Sequence, residues 1–200
     1  MAQIRIGGLD LSITSTGYAR GDGTTGLVKT KTEDGDRRIV QVRDTVMPEL
    51  ADCHAVVIER APAALKGYAS EILQQLQGAI RAALMDAGIP YAVISPSTLK
   101  KYATGNGTAS KTEMAMAAFK RAGREFERDK GGDMCDAWWL RCAGLEHWGS
   151  GIYPAVQLPA SQTGALGSVV WPEPRAETAM ETLMAAMPGP VSLDGFDPWA

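Results

Sequence analysis

Apolar positions fall into short continuous runs early in the chain and into helical spacing between and after them. Residues 3–9 are a short apolar run flanked by glycine, which predicts a strand. A second strand starts at 18–20, Gly21-Asp22-Gly23 is turn chemistry, and 26–32 returns as a third, so 16–32 predicts a hairpin. Ile39, Val42, Val46, Met47 and Leu50 then recur at helical spacing over 37–51, with Asp36 placed to cap and Pro48 near the end. Ala55-Val56-Val57-Ile58 is apolar without alternation, as in a strand covered on both faces, and it ends on Glu59.

A long helix is predicted over 68–87 from Ile72, Leu73, Leu76, Ala79, Ile80, Ala83 and Leu84, with Gly88 as its stop. Residues 90–94 read as a fifth strand. Ser95 and Pro96 suit the cap and first position of a short helix to about 103, and Ser110 with Glu113 forms a capping box for a helix over 110–122. A polar loop over 123–131 leads to a last core helix from Asp133 to about 147, whose Trp138, Trp139, Leu140, Leu145 and Trp148 are expected to pack in the core rather than stack on bases. The order of elements predicts an α/β fold with a five-stranded mixed sheet flanked by helices on both faces.

From residue 151 the pattern changes. Seven of the eleven prolines lie beyond this point, and regular periodicity is weak before an Ala/Met-rich stretch at 176–187 that suits a short helix. The chain is therefore divided into a domain over 1–149 and a Pro-rich, acidic, extended or weakly ordered tail over 150–200. Its Asp194-Gly195-Phe196-Asp197-Pro198-Trp199 end has the character of a partner-docking peptide.

Composition narrows the classes. No run of 18 apolar residues is present, so no membrane span is expected, and the first residues carry no charged-then-apolar leader, so a cytoplasmic location is expected. Cys53, Cys135 and Cys142 have no metal-binding spacing and read as free thiols. The net charge of -3 conceals an asymmetry. The last 50 residues hold five acids against Arg175 alone, whereas eight basic residues face four acids within 100–130, a local excess able to meet phosphate.

The chemistry concentrates in four acids. Asp10 and Glu59 each end a central strand, and Asp133 and Asp136 lie one helical turn apart on one face. Two strand ends and a helix N-terminus can converge at one sheet edge. Oxygen ligands without a histidine or cysteine cluster favour Mg²⁺, with Mn²⁺ able to substitute. Four carboxylates exceed the charge of one ion, and two divalent ions are the natural answer for phosphodiester cleavage. Singly, each acid also has a structural reading: a turn former at Asp10, an ion pair to Arg60 or Lys66 at Glu59, and a cap or dipole partner at Asp133 and Asp136.

The ordered set resembles RuvC-type Holliday junction resolvases of the RNase H-like fold. The matching stretches are Gly8-Leu9-Asp10 with Thr16-Gly17-Tyr18, then Val57-Ile58-Glu59. They continue with Ser95 through Lys101, Gly105-Asn106-Gly107-Thr108-Ala109-Ser110-Lys111, and Asp133-Met134-Cys135-Asp136-Ala137. The resemblance spans about residues 3–148. It implies two Mg²⁺ ions held by Asp10, Glu59, Asp133 and Asp136, with Lys100 and Lys111 beside the scissile phosphate. It implies DNA contacts at Arg60, Lys66, Lys100, Lys101, Asn106 and Lys111, and a homodimer through helix 68–87 that cuts a four-way junction symmetrically. Leu11-Ser12 stands where the bacterial enzymes carry Pro-Gly, and Arg60-Ala61-Pro62 where they carry an aromatic wedge, departures that suit a divergent, phage-encoded member.

Three other functions share parts of this pattern. An actin-like sugar kinase also opens with strand, Asp and Ser/Thr/Gly turn, but needs a second copy that the chain lacks. A related nuclease for structured RNA would use the same acids. A silent branched-DNA-binding module would not need four clustered carboxylates, which repel DNA.

Overall fold

The computed structural model describes residues 4–61, 67–149 and 158–176. Five strands form one sheet: β1 (Ile6–Asp10), β2 (Ser15–Ala19), β3 (Thr25–Lys29), β4 (Ala55–Glu59) and β5 (Tyr91–Ile94), in the order β3-β2-β1-β4-β5. The hairpin pairs β1, β2 and β3 antiparallel, while β4 and β5 join parallel to β1. The five-stranded mixed sheet is thus as expected, with strand ends moved by a few residues.

Side-chain alternation assigns each strand residue to one of two cores. Ile6, Ala55 and Val57 join α5 (Asp133–His147) together with α3 (Pro96–Thr104) and α4 (Lys111–Ala122). Leu9, Val56 and Ile58 join the opposite core under α1 (Arg37–Glu49) and α2 (Tyr68–Asp86). By the same alternation Asp10 and Glu59 belong to the α5 face, at the C-terminal ends of their strands.

Direct contact sets the height of α5 on the sheet. A Cβ on Gly17 would lie 2.0 Å from the Asp133 carbonyl oxygen, and one on Gly8 would lie 2.1 Å from that of Ala137. Backbone on backbone cannot yield as a side chain can, so both positions exclude any larger residue. Residues Met134 to Leu145 of α5 are all buried. Trp138 and Trp139 pack edge to face at 4.8 Å, Trp139 donates to the Met114 carbonyl at 3.2 Å, and the core role expected for them holds.

Ser95 caps α3 through the Thr98 amide, and the capping box of Ser110 and Glu113 opens α4, both as expected. Asp36, expected to cap α1, makes no side-chain cap bond. Nor does Asp133 act as a cap, because Gly132 holds that position at φ 75° and Asp129 reaches in from the loop to accept the Cys135 N–H at 2.9 Å.

Within the Pro-rich stretch expected to be extended or weakly ordered, residues 158–176 are described. This segment forms a short helix, α6 (Ala160–Thr163), a 3-10 turn over Gly164–Ser168, and an extended strap. Leu158, Leu166, Val169 and Trp171 pack against the α5-side core. Trp171 stacks on His147 at 4.4 Å, and the Trp148 indole donates to the Pro172 carbonyl. Arg175 then donates to the carbonyls of Ala51, Cys53 and Ala87. Proline content suggested disorder, but here the prolines punctuate a segment that buries apolar and aromatic side chains. Beyond Ala176, the Ala/Met helix and the acidic-aromatic end lie outside the described residues, as does Lys66. None of the helices among the described residues is long and apolar enough to cross a membrane.

Candidate active site

The parallel register pairs Leu9 with Ile58, so Asp10 and Glu59 follow as neighbours on adjacent strand ends. Asp10 lies opposite Gly17 in the hairpin, and Gly17 touches the Asp133 backbone. Two contacts, Asp10 with Gly17 and Gly17 with the Asp133 backbone, therefore bring the first turn of α5, with Asp133 and Asp136, against the end of β1. The turn after Asp10 is closed by Thr16, whose buried hydroxyl donates to the Ser12 carbonyl and accepts the Ser12 N–H. The Gln77 amide, buried on α2, donates to the Glu59 carbonyl at 2.8 Å.

Lys111 enters the middle of this group. Its ammonium donates to Asp136 Oδ2 and stands 3.6 Å from both Asp10 Oδ2 and Asp133 Oδ1. The capped start of α4 aims it there, and its stem crosses the α5 N-terminus at Gly132. A Cβ on that glycine would meet Lys111 Cδ at 2.8 Å. The Lys100 charge also acts on Glu59 and Asp136. Arg60, Lys101 and Asn106 are exposed and outside the acid cluster. Asn106 instead accepts the Thr108 N–H and hydroxyl, closing the glycine-rich turn before α4.

The electrostatics are dominated by burial. Desolvation pushes Glu59 up to about 9, with the Asp10 and Asp136 charges adding to it. Asp10 rises to about 7, chiefly by burial, against the opposing pull of Lys111. Asp136 is also raised by burial. Burial alone would lower Lys111, but Asp10, Asp136 and Asp133 together hold its ammonium above the usual lysine range. One fixed cation among four acids leaves an excess of negative charge, and Asp136 Oδ1 is buried without a hydrogen-bond partner.

Among the described residues no three acid, histidine or cysteine side chains form a ready-made ion cage. The donor set nevertheless fits a hard divalent cation. It consists only of oxygens, on strand ends and one helix turn, with one buried oxygen unpartnered and more negative charge than Lys111 offsets. The four acids and Lys111 stand out in the sequence, and the fold brings Asp10, Asp133 and Asp136 within ion-pair distance of the Lys111 ammonium. The insertion of Lys111 among the acids was not legible there, since it depends on the Gly132 crossing. Asp129, which orders the α5 N-terminus, was passed over as a loop charge although it stands four residues before Asp133.

Residues 7–122 match the family model described as "Crossover junction endodeoxyribonuclease RuvC". Among solved structures, Thermus thermophilus RuvC is similar with a TM-score of 0.60 and 22% identity, covering 74% of this chain and 98% of that one. T. thermophilus RuvC in complex with Holliday junction substrate is similar with a TM-score of 0.58 and 20% identity, covering 69% and 90%. These likenesses give the RNase H-like fold. A comparison with curated proteins finds no match.

Proposed function

The chain belongs to the RuvC family of crossover junction endodeoxyribonucleases, and from that premise we propose that it resolves four-way DNA junctions by metal-dependent hydrolysis at the Asp10, Glu59, Asp133 and Asp136 cluster. The observation that carries the reading is that Asp10, Asp133 and Asp136 lie within ion-pair distance of the Lys111 ammonium while Glu59 ends the strand next to Asp10. A sugar kinase is excluded by the family. The similar T. thermophilus RuvC structure in complex with Holliday junction substrate supports the same choice of DNA.

In this reading the four carboxylates hold two Mg²⁺ ions, or Mn²⁺ in their place, which supply Lewis-acid polarisation of the scissile phosphate and an activated water. The protein's own groups do the rest. Burial keeps bulk water from the acids and makes their charged forms costly until a cation arrives. Lys111 compensates them beforehand, and its half-exposed stem lets the ammonium turn to a phosphate oxygen as negative charge develops there. Lys100 reinforces that field from α3. Lys101, Arg60, Lys66 and the Asn106 turn contact the flanking backbone. Two copies joined through α2 cut two strands symmetrically, in the cytoplasm where the DNA is.

A cleavage panel tests this: four-way junction, fork, flap, linear duplex and structured RNA, with Mg²⁺, Mn²⁺ or EDTA. Wild type nicks the junction at paired positions only with metal. Asp10→Asn loses cleavage by at least 10²-fold while still binding the junction. If no branched DNA is cut with either metal, the reading fails, and preference for RNA would favour the related RNA nuclease.

A further inference from the structure

Gln162 on α6 is 3% exposed, although it belongs to a four-residue helix in a Pro-rich stretch. Both ends of its amide are used, each on a different helix. Its Nε2 donates to the Tyr102 carbonyl of α3 at 2.9 Å, and its Oε1 accepts from Arg121 Nη2 of α4 at 2.9 Å. The first bond answers a need of α3, because the last carbonyls of a helix have no partner within it. The chain leaves α3 through Gly105 at φ 85°, and the Asn106 N–H goes to the Thr104 hydroxyl at 3.1 Å. The Tyr102 carbonyl is completed instead from 60 residues away. The Gln162 stem also lies against this exit: a Cβ on Gly105 would stand 3.8 Å from Gln162 Cγ.

The two helices joined in this way carry the two lysines of the site. Lys100 lies two residues before Tyr102 on α3. Lys111 opens α4, ten residues or about 15 Å of helix before Arg121 in its last turn. The turn between the helices is glycine-rich and bonded locally through Asn106 and Ser110. Leu166, just after α6, is buried in the same cluster as Leu99, Tyr102, Met114 and Ala118, so apolar packing and the Gln162 amide act on the same pair of helices. Apolar packing is non-directional, whereas an amide that donates to one helix and accepts from the other fixes how they sit. Gln162 lies beyond the residues that the family model matches.

We infer that Gln162 is a positioning residue for cleavage, a pin between α3 and α4 that holds Lys111 among Asp10, Asp133 and Asp136. For its effect on cleavage the inference rests on the nuclease reading above; for its effect on Lys111 it rests on the geometry alone. One helix start delivers the Lys111 ammonium to three carboxylates at once, so a change in the tilt of α4 takes it away from at least one of them. A displacement of about 1 Å at a reacting site costs on the order of 10²-fold in rate. The strap is then part of the scaffold of the active site, although none of its residues enters the acid cluster.

The test compares wild type, Gln162→Met and Gln162→Glu with Val42→Ala, a stability control in the opposite core. Methionine keeps the volume and loses both bonds, while glutamate keeps the acceptor for Arg121 and loses the donor to Tyr102. Competitive acylation of amines in EDTA, read by peptide mass spectrometry against the exposed Lys29, reports whether the acids hold the Lys111 ammonium. Gln162→Met is expected to raise Lys111 labelling by about threefold or more, Gln162→Glu to raise it less, and Val42→Ala to leave it unchanged. In single-turnover cleavage at saturating enzyme with Mg²⁺, Gln162→Met should be about 10- to 100-fold slower, with junction affinity in EDTA unchanged. Lys111 labelling equal to wild type in both Gln162 variants, or raised as much in Val42→Ala, overturns the inference whether or not wild type cuts. Raised labelling with unaltered cleavage overturns the positioning role. Raised labelling in a protein whose wild type cuts no junction supports the pin and overturns the nuclease reading.

Discussion

Glu59→Gln should make the metal-free protein more stable, by an amount that grows with pH. Glu59 moves from an ordinary 4.5 to about 9 because it is buried beside Asp10 and Asp136. A carboxyl raised on folding binds its proton more tightly in the folded chain than in the unfolded one. Its contribution to stability is therefore intact below pH 4.5 and lost as pH rises from there to about 9. The slope is about 1.4 kcal/mol per pH unit for one group. Asp10, raised from 3.8 to about 7, adds a similar slope that ends near neutrality. Between pH 4.5 and 7.5 Glu59 alone accounts for up to about 4 kcal/mol, a large share of the 5–15 kcal/mol typical of a domain. Urea unfolding in EDTA at pH 5.5, 6.5, 7.5 and 8.5 reads this directly. The difference between wild type and Glu59→Gln should widen by about 1 kcal/mol per unit, and saturating Mg²⁺ should restore wild type. A constant difference across that range, or a wild type that gains stability with pH in EDTA as fast as the variant, would refute the burial argument.

Gly17→Ala places a methyl 2.0 Å from the Asp133 carbonyl, so we expect a loss of about 3 kcal/mol or more in thermal or urea melts and loss of cleavage, because the α5 turn must lift off the sheet. Lys111→Met removes the cation among the acids, so Mn²⁺ binding measured by calorimetry should tighten several-fold while metal-free stability and cleavage both fall. Unchanged Mn²⁺ affinity would mean that the ammonium and the metal do not compete. Trp171→Ala should cost about 3–5 kcal/mol in urea melts if the strap is part of the core, and near zero if it is an appendage.

Local rules carried most of the fold to the reader of the sequence. Val56-Val57-Ile58 announced a strand covered twice, Ser110 with Glu113 announced a helix start, and Asp133 with Asp136 announced one helix face. These signals lie within a few residues of each other, and each has a local physical cause. What escaped depends on distant contacts. Gly17 looks like any turn glycine until the Asp133 backbone lies against it. Asp129 becomes a cap only because the loop folds back on α5. Trp171 and Arg175 stood in a Pro-rich stretch whose composition argued for disorder, although an indole and the last fifty residues' one basic side chain were the visible signs of packing.

The anchoring of Arg175 has a practical consequence for handling the protein. Its carbonyl partners Ala51 and Cys53 precede β4, whereas Glu59 ends it, so a five-residue strand, about 17 Å, separates the anchor from the acids. The described chain therefore ends, at Ala176, near the end of the sheet away from the four acids. An affinity handle or fluorophore attached at Ala176 should report on binding without obstructing it, whereas a version trimmed at residue 149 would lose the strap and uncover more of the Trp148 ring.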